Sequence, residues 1–302
     1  MNPKRRSFAS TAAIYAMLTP TFGLLAVFSL VPFLWAFATS FYDYEVGGES
    51  KFVGLSNYVE YLHDPTLASS FGNLLTLTVF GLLVVMTAPL AVAKLIFTIK
   101  SERARYIYRV LFLIPIVVPG VASLLIWQGM IYGDSGLVNE TLRQFGHDDL
   151  TRGWLSDPRT ALYAVMFMGF PFAGGINILI YYAGLAGISE SIHEAAELDG
   201  ARGLRKFLKI DVPLVMSQIK LLTILTVIGT VQGFESMFIL TKGGPGFKTM
   251  VPGLWMYMNA FTFQRMGYAC AIGVILFLLI LGLTVLNMRY FRSSEDLTAE
   301  AA

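Results

Sequence analysis

Few side chains in this chain can do chemistry, and they lie far apart. Glu235 is the one acid well inside a long apolar run, with Gln232 three residues before it and Ser236 directly after. A carboxylate facing lipid is costly, so Glu235 is expected to face a cavity or a partner helix. On a helical wheel Gln218, Gly229, Gln232, Glu235 and Ser236 share one broad side, and Thr223, Thr226 and Thr230 share the other. The amide and acid side reads as the wall of a pore. It reads equally well as a pairing surface at a subunit interface, with the threonines back-bonding to their own helix. Asn177, in another apolar run, fits a binding wall or an interhelical hydrogen bond.

Bond-making chemistry finds no support. No span holds a Ser-His-Asp, Cys-His or paired-carboxylate constellation. Cys270 is the only cysteine, and His63, His147 and His193 fall in different loops, so neither an intrachain disulfide nor a metal site is expected. A phosphate-cradling loop needs Gly-Lys followed by Ser or Thr, yet Lys100-Ser101 follows Ile99 and Lys248-Thr249 follows Phe247. The chain therefore does not bind the phosphates of ATP in that way, and Gly243 to Gly246 reads as a turn.

The second cluster is HEAAELDGARGLRKFLKIDVP, His193 to Pro213, a compact acidic and basic stretch between apolar segments. Ser191 to Glu194 has the spacing of a capping box, which predicts a helix start there. Gly200 is placed to end that helix in the left-handed conformation, and Val212-Pro213 to close a second short helix. Ile192, Ala195, Ala196 and Asp199 fall on one face, where two alanines permit close approach. Spacing alone also allows an amphipathic connector lying on a membrane surface.

The elements that position these residues are written in the composition. The 302 residues are 55% hydrophobic and only 14% charged, against about a quarter charged in a soluble domain. Six runs can span about 30 Å of hydrocarbon as helices: Ile14 to Phe41, Phe71 to Phe97, Ile107 to Met130, Ala161 to Tyr182, Leu214 to Leu240 and Tyr268 to Phe291. Prolines 20, 32, 115, 119 and 171 lie within or beside them and favour kinks. The first run is too long for a signal peptide and reads as a helix. The expected fold is all-α and integral to the membrane: a cytoplasmic segment 1–13, a six-helix domain 14–291 and a cytoplasmic tail 292–302.

Charge sets the orientation, since short cytoplasmic loops collect Lys and Arg. Lys4, Arg5 and Arg6, then Lys100, Arg103, Arg105 and Arg109, then Arg202, Arg205, Lys206 and Lys209, and finally Arg289 and Arg292 all face one side if both termini are cytoplasmic. Asp43, Glu45, Glu49, Glu60 and Asp64 suit an outer loop.

Glu194 to Val215, EAAELDGARGLRKFLKIDVPLV, resembles the EAA signature of permease subunits of ATP-binding-cassette importers at Glu194, Ala195, Ala196, Asp199, Gly200, Ala201, Phe207, Ile210 and Pro213. FVGLSNYVEYL at Phe52, LFLIPIVVPGVASLLIW at Leu111, AGLAGIS at Ala183, LTKGGPGFKT at Leu240 and AFTFQRMGYACA at Ala260 look like their counterparts in carbohydrate-importer permeases of the maltose and glycerol-phosphate type. Asp211 departs from the pattern, which usually has a small polar residue there.

The resemblance implies a type I importer permease fold with a cytoplasmic coupling helix, in which Glu194, Ala195, Ala196, Asp199 and Gly200 meet a separate ATPase. It implies substrate contacts at Gln232, Glu235 and Ser236, with Asn177 a further candidate. Its implied partners are a second permease subunit, usually a different one, two cytoplasmic ATPase subunits holding ATP and magnesium, and an extracytoplasmic binding protein for a sugar or polyol. No nucleic acid, metal or cofactor of its own is implied. The rival reading is an ion-coupled secondary carrier using Glu235; about six spans without an evident inverted repeat weigh against it.

Overall fold

Hydrocarbon offers peptide groups no hydrogen bond, so a segment crossing it must close its own, and long apolar runs become helices. The computed structural model describes residues 8–290 except Val46 and Glu49, and side chains from 13 to 289. Lys4, Arg5, Arg6, Glu49, Phe291, Arg292 and the tail 292–302 lie outside the described residues.

The chain opens with α1 (Phe8–Leu25), which passes through a π-turn at Ala26–Leu30 into α2 (Val31–Thr39). Pro32 sits in the first turn of α2, where a missing N–H costs little. The short strands β1 (Tyr42–Asp43) and β2 (Lys51–Phe52) pair antiparallel, and α3 (Ser56–Leu62) follows. Next come α4 (Thr66–Thr98), α5 (Glu102–Leu113), α6 (Gly120–Ile126), α7 (Leu137–Gln144), α8 (Ala161–Phe167) and α9 (Gly175–Ala186). The hairpin contains α10 (Glu190–Leu198), α11 (Gly203–Lys206) and α12 (Val212–Leu214). The chain continues through α13 (Met216–Gln232), α14 (Glu235–Leu240), α15 (Pro252–Tyr257) and α16 (Met266–Tyr290).

Six uninterrupted spans are not what forms. Four segments are long and apolar enough to cross a membrane: Ala13–Thr39, Thr66–Thr98, Met216–Leu240 and Met266–Arg289. The third expected span is a pair, Glu102–Val117 and Gly120–Ile131, bent by 86° at a break of two residues. Pro119 is one of the two break residues and Pro115 lies in the turn just before them, and each removes a backbone donor. The fourth expected span is divided into α8 and α9, with Pro171 and Phe172 (φ 62°) between them.

The described chain forms two compact units. In the first, residues up to 64 with 256–275, Asn57 ties the end of α2 to β1 by donating to the carbonyls of Ser40 and Tyr42, both at 2.9 Å. Arg265 Nη2 donates to both carboxylate oxygens of Glu60 at 2.7 Å, and the guanidinium lies over Tyr268, whose hydroxyl donates to Asp64 at 2.6 Å.

The second unit, residues 65–255 with 276 onward, holds the helices of the candidate site. Its core is the seam of α4, α9 and α13: Leu90, Ala93, Ile178, Tyr181, Leu185, Val215 and Leu222 are buried together. Tyr181 is thus a packing aromatic. Lys220 donates to the Met288 carbonyl at 3.3 Å, a cation set against the C-terminal end of α16.

Close backbone approach holds α9 in place. A Cβ added at Gly175 would collide with the Phe112 carbonyl at the end of α5, whereas one at Gly72 would meet nothing. Gly175→Ala is therefore expected to destabilise the protein by about 1–3 kcal/mol through overpacking. Gly72→Ala should leave the melting temperature in detergent unchanged or slightly raised, and thermal unfolding of the two variants checks the contrast.

Candidate functional site

Two places in the second unit bring polar groups together, one at each end of α13. The first is the hairpin. Its first helix begins at Glu190 with Ser189 as the extended N-cap residue (ψ 144°), so the capping box expected at Ser191–Glu194 does not form. Ser189 Oγ instead meets Ser191 Oγ at 3.1 Å, and Ser191 lies inside the helix.

The helix end matches expectation. Gly200 adopts φ +73°, the Ala201 amide donates to the Ala196 carbonyl at 2.8 Å, and the Gly200 amide donates to Glu197 at 3.1 Å. This pair of bonds is a Schellman closure, which a side chain at Gly200 would oppose by about 1–2 kcal/mol. Val212-Pro213 does not close the second short helix. The helical path from Gly203 runs through a π-turn at Phe207–Asp211 and past Pro213 to Leu214. Pro213 occupies the first turn of α12, where it needs no donor, and the chain turns only at Val215.

Of the face expected at Ile192, Ala195, Ala196 and Asp199, only Ala196 is buried. Glu194, Ala195, Asp199 and Gly200 are exposed, and with them Leu198, at 90%. Leu204 and Leu208 are exposed as well, so the hairpin shows apolar side chains beside its charges. Lys206 Nζ reaches the Glu197 carboxylate at 3.0 Å and holds it below the usual carboxylate range.

The hairpin is anchored by a buried ion cluster that the sequence did not disclose. Asp211 has no exposure, and its carboxylate meets Lys94 Nζ of α4 at 2.5 Å. His193 of α10 faces the other carboxylate oxygen at 3.9 Å and packs against Phe97. One acid thus joins the base of α4, the hairpin helix and the start of the path into α13. The residue that departs from the EAA pattern is the one at the centre.

The second place is a break. The path from Met216 to Leu240 is not one continuous helix: α13 stops at Gln232, Gly233 turns extended (ψ 119°), and α14 restarts at Glu235. A Cβ at Gly233 would lie 2.7 Å from the Gly229 carbonyl, so glycine is required. The helical wheel therefore cannot be carried from Gln218 through to Ser236. Gln232 ends one half-helix, Glu235 opens the next, and both are exposed. At such a break the last carbonyls and first amides lose intrahelical partners, and inside a bilayer that is tolerated only against protein or water.

A cavity of about 440 Å³ adjoins the break, lined by Phe80, Met166, Thr226, Thr230, Gly233 and Ser236 among others. Of the expected binding residues only Ser236 lines it. Thr226 and Thr230, assigned to the back of the helix, line this cavity. Thr223 is buried and lines a separate cavity with Leu283, Thr284 and Asn287 of α16. Asn177 stands in the first turn of α9, half-buried, on a different element. Among the described residues no group of three or more His, Cys, Asp or Glu side chains is placed to hold a metal ion.

Comparison with known proteins adds a family to this geometry. Residues 93–292 match the family described as binding-protein-dependent transport system inner membrane component. The arabinooligosaccharides transport system permease protein AraP of Bacillus subtilis is 28% identical over 285 residues, covering 93% of this chain and 89% of that protein. The lactose transport system permease protein LacF of Rhizobium radiobacter is 29% identical over 278 residues, covering 90% and 92%. Among solved structures, a chain of the bacterial alginate ABC transporter, in complex with an alginate pentasaccharide-bound periplasmic protein, superposes with a TM-score of 0.80. It is 20% identical and covers 95% of this chain and 96% of that one, a likeness of fold.

The ion cluster yields a graded prediction. Lys94→Met leaves a fully buried carboxylate uncompensated and should cost about 3–5 kcal/mol. Asp211→Asn should cost less, because Lys94 is 21% exposed and its ammonium can move to water. The double change Lys94→Met with Asp211→Leu should recover most of the loss. Thermal unfolding of the three variants in detergent tests the order.

Proposed function

Because the chain belongs to the binding-protein-dependent transport system inner membrane component family, we propose that it is the permease subunit of an ATP-driven importer that carries a carbohydrate across the cytoplasmic membrane. It is a multi-pass membrane protein of the type I importer permease fold, and hydrolysis takes place on a separate subunit. The relatives named for arabinooligosaccharides and lactose support a saccharide cargo.

The observation that carries the reading is the hairpin. A helix closed by Gly200, exposing Glu194, Ala195, Leu198 and Asp199, is tied through Asp211 to the base of α4. That is the form of a handle: its outer face is free to be gripped and its inner face is fixed to the spanning core. In this reading two cytoplasmic ATPase subunits, holding ATP and magnesium, close on nucleotide and displace α10. A second, different permease subunit completes the pathway, and an extracytoplasmic binding protein delivers cargo to the opposite face. Both termini and the hairpin are cytoplasmic.

The displacement reaches α13, whose far end is the break at Gly233. There Gln232, Glu235 and Ser236, with Thr226 and Thr230, would meet the hydroxyls of the sugar. Asn177 contributes from α9. Such groups accept and donate in fixed directions, as carbohydrate recognition requires. Family membership favours this reading over an ion-coupled carrier working through Glu235.

Two experiments test it. Deleting the gene in its own host should abolish uptake of at least one of radiolabelled lactose, maltose and arabinotriose. That uptake should survive collapse of the proton gradient and fail on ATP depletion. Unchanged uptake of all three sugars, or loss with the gradient alone, would contradict the reading. Gly200→Val should insert normally yet reduce uptake at least tenfold, by deforming the turn that ends α10.

A further inference from the structure

At the opposite end of α14 from the break lies a second cavity, of about 490 Å³, within the range of about 300–1,000 Å³ typical of ligand clefts. Its walls come from the turn after the π-turn at Trp127–Ile131, from the loop before α8, and from the turn after α14. Chain order puts it at the far end of the spans from the hairpin, because α8 leaves from this end and α14 returns to it.

Its chemistry combines aromatic surface with unsatisfied polar groups. Tyr132 and Trp154 both line it, with ring centres 6.5 Å apart and planes inclined by 37°. Trp127 packs against Tyr132 with ring centres 5.5 Å apart and planes inclined by 43°, and the Arg152 guanidinium lies over the Trp154 ring at 5.6 Å. Gln128, Tyr132 and Asp134 also line it, and among the described residues the Gln128 amide, the Tyr132 hydroxyl and the Asp134 carboxylate have no hydrogen-bond or ion-pair partner. Burial pushes the Tyr132 hydroxyl up from its ordinary value.

The walls are fixed in advance. Asn139 is buried, accepts the Trp154 indole N–H at 2.9 Å and donates to the carbonyls of Gly133 and Arg152 at 3.3 and 3.1 Å. One side chain thus holds both loops and orients the indole. Thr160 secures the Trp154 carbonyl at 2.8 Å. On the third wall Thr241 bonds Thr249, which donates to the Gly244 carbonyl. Holding aromatic planes and hydrogen-bonding groups rigid before a ligand arrives reduces the entropy lost on binding.

We propose that this cavity is a vestibule subsite for a neutral saccharide, which stacks on Tyr132 and Trp154 and bonds to Gln128 and Asp134 before it moves inward. The six residues of α14 separate it from Glu235 by about 9 Å, roughly the length of one or two sugar rings. A glycan could therefore pass from one set of hydroxyl partners to the next without full rehydration. The inference rests on the carbohydrate reading above.

The full-length chain in lipid nanodiscs is titrated with lactose, maltose and arabinotriose, and contact is followed by saturation-transfer NMR. At least one sugar should bind wild type. Tyr132→Leu, which leaves the Trp154–Asn139 bond intact, should weaken it at least tenfold. Asp134→Asn, an exposed change that does not threaten folding, should weaken it at least threefold. Glu235→Gln should leave the vestibule signal in place. Wild-type affinity in Asp134→Asn and Tyr132→Leu overturns the subsite, as does binding lost only in Glu235→Gln. If a sugar taken up by cells fails to bind the wild-type chain, the subsite falls and the carbohydrate reading stands; if no sugar is taken up either, both fall.

Discussion

A peptide group in hydrocarbon has no water to bond, and leaving one unpaired costs several kcal/mol. That constraint makes the apolar runs helical, and it also makes every interruption informative. The second unit interrupts its spans between Val117 and Gly120, between Phe167 and Gly175, and at Gly233. Each break frees carbonyls and amides that must be shielded by protein or reached by water. At Gly233 the surroundings include Thr226, Thr230 and Ser236 around a cavity, with Gln232 and Glu235 exposed beside it. The proposed polar pathway would thus be produced by where the helices stop as much as by which side chains they carry.

At the other end of α13 the constraint works through charge. A fully buried carboxylate is tolerable only with a cation beside it, and Asp211 finds Lys94 on α4 with His193 of α10 close by. Replacing such a cluster by apolar side chains need not lower stability, so its presence is better explained by geometry than by energy. It fixes the hairpin to the same three-helix seam of α4, α9 and α13 that carries the break. In the proposed function, a push on the exposed face of α10 would reach Gly233 through the ion cluster, then the packed seam, then the half-helix.

The membrane class and the approximate spans were legible because charge-free runs and hydrocarbon thickness are both one-dimensional measures. The Gly200 turn was legible because a left-handed residue at a helix end selects glycine locally. The helix start was misread since Ser191 has capping-box spacing, but the extended residue is Ser189. The wheel through Glu235 failed for a different reason: it assumes an unbroken helix, and Gly233 ends one. Lys94 with Asp211, and Asn139 with Trp154, were invisible because each pair forms only after distant segments have packed. The departure of Asp211 from the EAA pattern was the one signal that pointed to the cluster.

The central claim is that the break in the fifth apolar segment lines a water-filled path whose exposure is switched by the hairpin. Cys270 is the only cysteine, so Cys270→Ser supplies a background for a single thiol introduced as Glu235→Cys. In proteoliposomes holding the assembled transporter, labelling by a charged, membrane-impermeant maleimide is timed with and without ATP and vanadate. The account predicts that the thiol reacts in both conditions and that the side from which it is reached changes with nucleotide. A thiol that reacts only with lipid-soluble reagents, at a rate indifferent to nucleotide, would contradict it.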